Sequence, residues 1–131
     1  MMRDPVRNRP QRLAGMTFQW QIGDHKCFVT VNSDADGVRE IFVVGDRPGS
    51  DLFSLCEAVG MLASGMLKQG IPTRLICDKL INIKATTTWN EGGFIHSIPD
   101  AVAKSILLIE GNFAAADMDP TVFPELVQNQ P

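Results

Sequence analysis

Met16-Thr17-Phe18-Gln19-Trp20-Gln21-Ile22 alternates apolar and polar side chains one by one, the period of an extended strand with one face against a core. Gly23-Asp24-His25 follows with turn chemistry, and Lys26-Cys27-Phe28-Val29-Thr30-Val31-Asn32 is again strand-like. The polar connection Ser33 to Gly37 has hairpin length, and Val38 to Gly45 supplies a third strand centred on Ile41-Phe42-Val43-Val44. Connections this short make an antiparallel meander the simplest pairing.

Beyond Gly45 the period changes. Ser50 or Asp51 can cap a long helix running to about Gln69, with Leu52, Leu55, Cys56, Val59, Leu62, Ala63 and Met66 near one stripe and Gly70 as its terminator. Gly60, Ser64 and Gly65 interrupt that helix, each glycine costing about 1 kcal/mol against alanine, so a helix or a subunit is expected to pack tightly there. Ile71-Pro72-Thr73 opens a shorter helix from Arg74 to about Leu80. Ile81 to Trp89 has no helical period, and Trp89 to Ser97 reads as a loop with Gly92-Gly93 at its centre.

The last helical pattern opens on Ser97-Ile98-Pro99-Asp100, where Ser97 is an N-cap, Pro99 sits in the first turn and Asp100 lies near the positive end of the helix. Ala101 to Glu110 carries apolar positions at helical spacing, and Gly111 is the stop. The fold class that follows is α+β, an antiparallel sheet of three or more strands packed on one face by two or three helices. The organisation is one domain, residues 15–111, between an arginine-rich arm (1–14) and a C-terminal tail (112–131) anchored by Val122, Phe123, Leu126 and Val127.

A chain of 131 residues suits one domain with a sizeable core. Its net charge of -3 argues against a generally basic surface for long nucleic acids. Cys27, Cys56 and Cys77 are widely spaced and lie in apolar patterns, so buried free thiols in a reducing compartment are expected rather than a disulfide framework or a zinc site. No apolar run reaches bilayer length and the N-terminus lacks the apolar core of a signal peptide, so a cytoplasmic protein without membrane contact is expected. Met1 to Arg12 carries Arg3, Arg7, Arg9 and Arg12 with Pro5 and Pro10 and is read as a flexible arm or a strap across a neighbouring subunit.

The order Gly37-Val38-Arg39-Glu40-Ile41-Phe42-Val43-Val44-Gly45, then Gly49-Ser50, a long helix ending at Gly70, Ile83, and Ser97-Ile98-Pro99-Asp100-Ala101-Val102-Ala103 resembles the TSCPD domain. That family occurs at the C-terminal end of adenosylcobalamin-dependent ribonucleotide reductases and as small stand-alone proteins. The resemblance covers roughly Phe18 to Leu108. Where the family has Thr-Ser-Cys-Pro-Asp, this chain has His96-Ser97-Ile98-Pro99-Asp100. Isoleucine can neither form a thiolate nor ligate a metal, so any thiol-dependent role there is lost. Reductase catalysis by so short a chain is rejected.

Two places offer ligand chemistry. The turn Asp46-Arg47-Pro48-Gly49-Ser50 leads a strand into a helix start, a geometry that offers an anion backbone N–H groups, with Arg47 and the Ser50 hydroxyl beside them. The stretch Thr87 to His96 holds Trp89 to stack on a base, Thr88 and Asn90 to hydrogen-bond its edge, and His96 to reach a phosphate or ribose. The alternative reading of each is structural, a tight turn in the first case and a loop pinned by Trp89 and Phe94 in the second. No nucleophile and base stand in a recognisable context, so no enzyme activity, cofactor or metal is expected.

The resulting expectation is a homo-oligomeric, non-catalytic module for a nucleotide-class small molecule, in its sharpest form a phage-type sponge for a cyclic nucleotide or ADP-ribose-derived immune signal. The alternative is a protein-interaction accessory domain related to the C-terminal region of class II ribonucleotide reductase, docking through the arginine-rich arm and the apolar tail.

Overall fold

In the computed structural model, which describes residues 9–127, three strands form one sheet: β1 (Ala14–Ile22), β2 (His25–Asp34) and β3 (Gly37–Gly45), in the order β1-β2-β3. Both pairings are antiparallel, from Ala14 opposite Ser33 to Ile22 opposite His25, and from Cys27 opposite Gly45 to Asp34 opposite Gly37. The register shifts between Asn32 and Ser33, which face Glu40 and Val38, so Arg39 is an extra residue on β3. The expected alternation holds. Phe18, Trp20 and Ile22, Cys27, Val29 and Val31, and Ile41 and Val43 all turn inward and are buried.

Helix α1 spans Asp51–Lys68, α2 spans Thr73–Leu80 and α3 spans Ile98–Ile109. Ser50 and Ser97 are the expected N-caps, accepting from Phe53 N–H and Asp100 N–H, each at 3.1 Å. Gly70 and Gly111 leave α1 and α3 at φ of 82° and 76°, backbone that favours glycine. Every residue of α3 from Asp100 to Leu108 is buried. It contacts the inner sheet face at β1 and β2, α2 packs on it from outside, and α1 lies along β3.

The orientation of α1 departs from the expected stripe. Its buried residues are Cys56, Gly60, Ala63 and Leu67, while Leu55 and Leu62 stand 61% and 70% exposed. The cause is close approach to the backbone of β3. A Cβ on Gly60 would lie 3.0 Å from Val43 N, and the Ser64 hydroxyl donates to the Ile41 carbonyl and accepts from the Ile41 N–H, both at 2.8 Å. Gly60 and Ser64 thus serve the chain's own edge strand, not another subunit. Gly65 has open space where its Cβ would be.

The stretch from Trp89 to Ser97 is not a loop throughout. Thr88–Asn90 (β4) and Gly93–Ile95 (β5) form a two-stranded hairpin with Glu91-Gly92 as its turn. Gly92 has φ of 102°, and a Cβ there would strike Val122. The chain continues through α4 (Phe113–Ala116), a 3-10 turn at Pro120–Val122 and α5 (Pro124–Val127). Ala116, Met118, Phe123 and Leu126 are buried, with Phe123 edge-on to Trp20, while Val127 is exposed. Arg3 and Arg7 lie outside the described residues. Arg9 folds back on Glu40, giving two hydrogen bonds of 2.8 and 3.0 Å to its carboxylate.

Candidate functional site

Asp100 organises the region around the Ser97-Ile98-Pro99-Asp100 motif. Fully buried, its carboxylate accepts from Asn82 N–H at 2.7 Å, from His96 N–H at 2.8 Å and from the Lys104 ammonium at 3.0 Å. Lys104, itself buried, also donates to the Phe94 carbonyl at 2.8 Å. One carboxylate therefore fastens three segments to the start of α3: the turn after α2, the end of β5 and the helix's own second turn. Asn82 sits at φ of 61°, a left-handed conformation uncommon outside glycine, and this bond holds it there.

Ile98 and Ser97 face a cavity of about 260 Å³ whose walls include Ile22, Cys27, Leu52 and Cys56. Hydrogen bonding to Cys56, together with burial, pushes the Cys27 thiol up from its ordinary value, and the same bond draws Cys56 down. Sequence reasoning did not place these thiols beside the motif. Cys27 lies on β2 and Cys56 on α1, and only the packing of α1 across the end of the sheet brings them together. His25 borders the same cavity, 3.2 Å from Asp24 and 3.7 Å from Asp46. Among the described residues, no three His, Cys, Asp or Glu side chains converge as a metal site would need.

Of the residues singled out from the sequence, Thr88 and Asn90 are engaged with β1. Asn90 accepts from Gln21 N–H at 2.8 Å and donates to the Gln21 carbonyl at 2.9 Å, and the Thr88 hydroxyl accepts from Gly23 N–H at 2.7 Å. Trp89 is 62% exposed and meets Phe94 edge-on, ring centroids 5.0 Å apart. The His96 ring is hydrogen-bonded to the Thr87 hydroxyl at 2.9 Å. Arg47 reaches the Asp24 carboxylate at 3.5 Å, and the Ser50 hydroxyl donates to the Arg47 carbonyl at 2.7 Å. The β1–β2 turn stands between the two groups, with Gly23 bonded to Thr88 and Asp24 to Arg47.

Three further clefts differ in chemistry. One of about 390 Å³ runs along β1 beside the C-terminal segment and is bordered by Glu91 and Glu125, charges that oppose a phosphate. Another, of about 410 Å³, lies between β3 and α1 and is walled by Phe42, Val44, Phe53 and Met61 with Glu57 at its rim. A third, of about 200 Å³, separates α1 from α2 and is lined by Val59, Leu62, Met66, Ile76 and Leu80. Between the last two stands the outward face of α1, where Ser54, Leu55, Ala58, Met61, Leu62, Gly65 and Met66 are exposed without a charge among them.

The sequence profile of the TSCPD domain matches residues 3–109. The Vitamin B12-dependent ribonucleotide reductase of Streptantibioticus cattleyicolor is 30% identical over 82 residues, 61% of this chain and 14% of the relative. The Vitamin B12-dependent ribonucleotide reductases of Streptomyces clavuligerus and Streptomyces coelicolor are also 30% identical over 82 residues, in each case 8% of the relative. The chain thus spans only a small fraction of these curated relatives. No solved structure matches it. No helix of the described residues is long and apolar enough to cross a membrane.

Proposed function

The chain belongs to the TSCPD domain family, and from that premise we propose that it is a non-catalytic accessory domain, related to the C-terminal region of B12-dependent ribonucleotide reductases, whose work is to contact protein. The observation that carries this reading is the outward face of α1. Leu55, Met61 and Leu62 are 61%, 68% and 70% exposed on one helix, flanked by two apolar grooves. Large side chains scattered singly need no explanation, but a continuous uncharged helix face is the kind of surface that a protein partner covers. On this reading the docking surface is on α1; of the arm and tail, Arg9 is tied to Glu40 and Phe123 and Leu126 are in the core, while Arg3 and Arg7 lie outside the described residues. A reducing compartment suits three free buried thiols.

The test is a photo-crosslinking residue at position 62, in cells that also express a B12-dependent ribonucleotide reductase. The expected product is a protein adduct of defined mass, with the reductase or with the chain itself. Absence of any protein adduct overturns the reading.

A second reading keeps the nucleotide-class small molecule, and the exposed Trp89 ring, held edge-on by Phe94, favours it. Trp20 is buried, so quenching of the exposed tryptophan by a nucleotide panel reports on Trp89. An unchanged spectrum across the panel removes this reading.

A further inference from the structure

We propose that the partner of the α1 face is a second copy of this chain, bound with its α1 antiparallel about a two-fold axis near Leu62; this rests on the protein-contact reading above. Gly65 supplies the first ground. Glycine weakens a helix relative to alanine, and Gly65 stands in the last turn of α1, yet nothing in the chain lies within 4 Å of where its Cβ would be. Gly60, by contrast, is explained by the backbone of β3. The vacancy at Gly65 is thus unused within one copy and is suited to a side chain from outside.

The second ground is self-complementarity. Placing Leu62 against Leu62 across a two-fold axis sets Met66 of one copy level with Ala58 of the other, a large side chain against a small one. The same arrangement recurs on both sides of the axis, as an isologous interface requires. Leu62 stands 70% exposed beside the apolar groove between α1 and α2, so each copy offers both a projecting side chain and a recess.

Charge supplies the third ground and fixes the direction. Glu57 and Lys68 are exposed on the same flank of α1, three turns apart at about 3.6 residues per turn. Antiparallel pairing about Leu62 brings Glu57 of each copy level with Lys68 of the other, giving two reciprocal ion pairs. Parallel pairing in register would set Glu57 level with Glu57 and Lys68 with Lys68. The antiparallel orientation also opposes the two helix dipoles.

Size-exclusion chromatography with light scattering on the full chain is expected to give a dimer, with Leu62→Glu raising its dissociation constant roughly thirtyfold or more. Lys68→Glu alone and Glu57→Lys alone are expected to weaken it, and the double exchange to restore it. Leu62→Cys is expected to give a dimer-sized disulfide product under copper phenanthroline, whereas Gln19→Cys, on the opposite sheet face, is not. Far-UV circular dichroism of each variant confirms that the fold is intact. A monomer at every concentration, or a dimer unaffected by Leu62→Glu and Lys68→Glu, overturns the proposal. A monomer whose position 62 still crosslinks to the reductase overturns it and leaves the protein-contact reading standing; a monomer with no adduct removes both.

Discussion

Asn90 and Gln21 are joined by a reciprocal pair of hydrogen bonds, the side-chain carboxamide of one accepting from the backbone N–H of the other at 2.8 Å and donating to its carbonyl at 2.9 Å. The side chain imitates the main chain of a further strand at the free edge of β1. Ser64 does the same for β3, bonding both the N–H and the carbonyl of Ile41. Both edges of a three-stranded sheet carry a side-chain cap, which counters the tendency of open edges to recruit other chains. Gln21 on one edge and Ile41 on the other are thus capped within the chain, while the outward face of α1 stays exposed.

Asn90→Leu removes both bonds while keeping side-chain size, and is expected to destabilise the protein by about 1 to 2 kcal/mol. The check is urea unfolding together with hydrogen exchange at the Gln21 amide, which should lose protection. Unchanged exchange there would show that Asn90 does not close the edge.

The glycines of α1 are expected to differ in sign. Gly60→Ala drives a methyl to 3.0 Å from Val43 N and 3.4 Å from the Ile41 carbonyl, lifting α1 from β3; a loss of about 1 to 3 kcal/mol is expected. Gly65→Ala meets open space, and in the Leu62→Glu background it should stabilise by about 0.5 to 1 kcal/mol through helix propensity. Denaturant midpoints of the two variants decide the matter.

Asp100→Asn leaves the buried Lys104 ammonium without its counter-charge and presents amide hydrogens toward groups that also donate. Breaking one side of a buried ion pair costs about 3 to 5 kcal/mol, so a large fall in thermal midpoint is expected. Proteolysis between residues 81 and 97 should quicken, because that carboxylate ties Asn82 and His96 to α3. A midpoint within a degree or so of the parent would contradict the role assigned to Asp100.

Arg9 hydrogen bonding, with a smaller contribution from Asn32 and against burial, holds the Glu40 carboxyl below its ordinary value. The folded carboxylate binds its proton more weakly than the unfolded one. The stabilisation is therefore fully present above the ordinary glutamate range, near pH 4.3, and is lost as pH falls through the lower folded value. Arg9→Ala should lower the urea midpoint at pH 7, and the gap should narrow as pH falls below about 4. A gap independent of pH would assign the contribution of Arg9 to packing.

Much of the fold was legible because its signals are local. Alternation from Met16 to Ile22 marks a half-buried strand whatever lies opposite, and Ser50, Ser97, Gly70 and Gly111 act on backbone groups within a few residues. Thr88–Asn90 and Gly93–Ile95 are strands of three residues each, too few to display a period. The candidate residues Thr88 and Asn90 were visible as polar groups near a turn, but their hydrogen-bond partners are 65 and 69 positions away along the chain. The apolar patterns around Cys27 and Cys56 point to buried thiols, as both are, yet their meeting beside Ile98 depends on two elements packing against each other.

Helix α1 shows where the division falls. The sequence by itself determined that residues 51–68 form a helix, since the cap, the spacing and the terminating glycine are properties of the local chain. Of the one stripe expected, the first part is Leu55, Leu62 and Met66, and the second, Cys56 and Ala63, continues into Gly60 and Leu67. Hydrophobicity alone favours burying the first. The tertiary structure turned the second inward, because only a face with Gly60 and an adjoining Ser64 lets the helix lie against the edge of β3 and satisfy its backbone, and close packing with hydrogen bonds outweighed the burial of larger side chains.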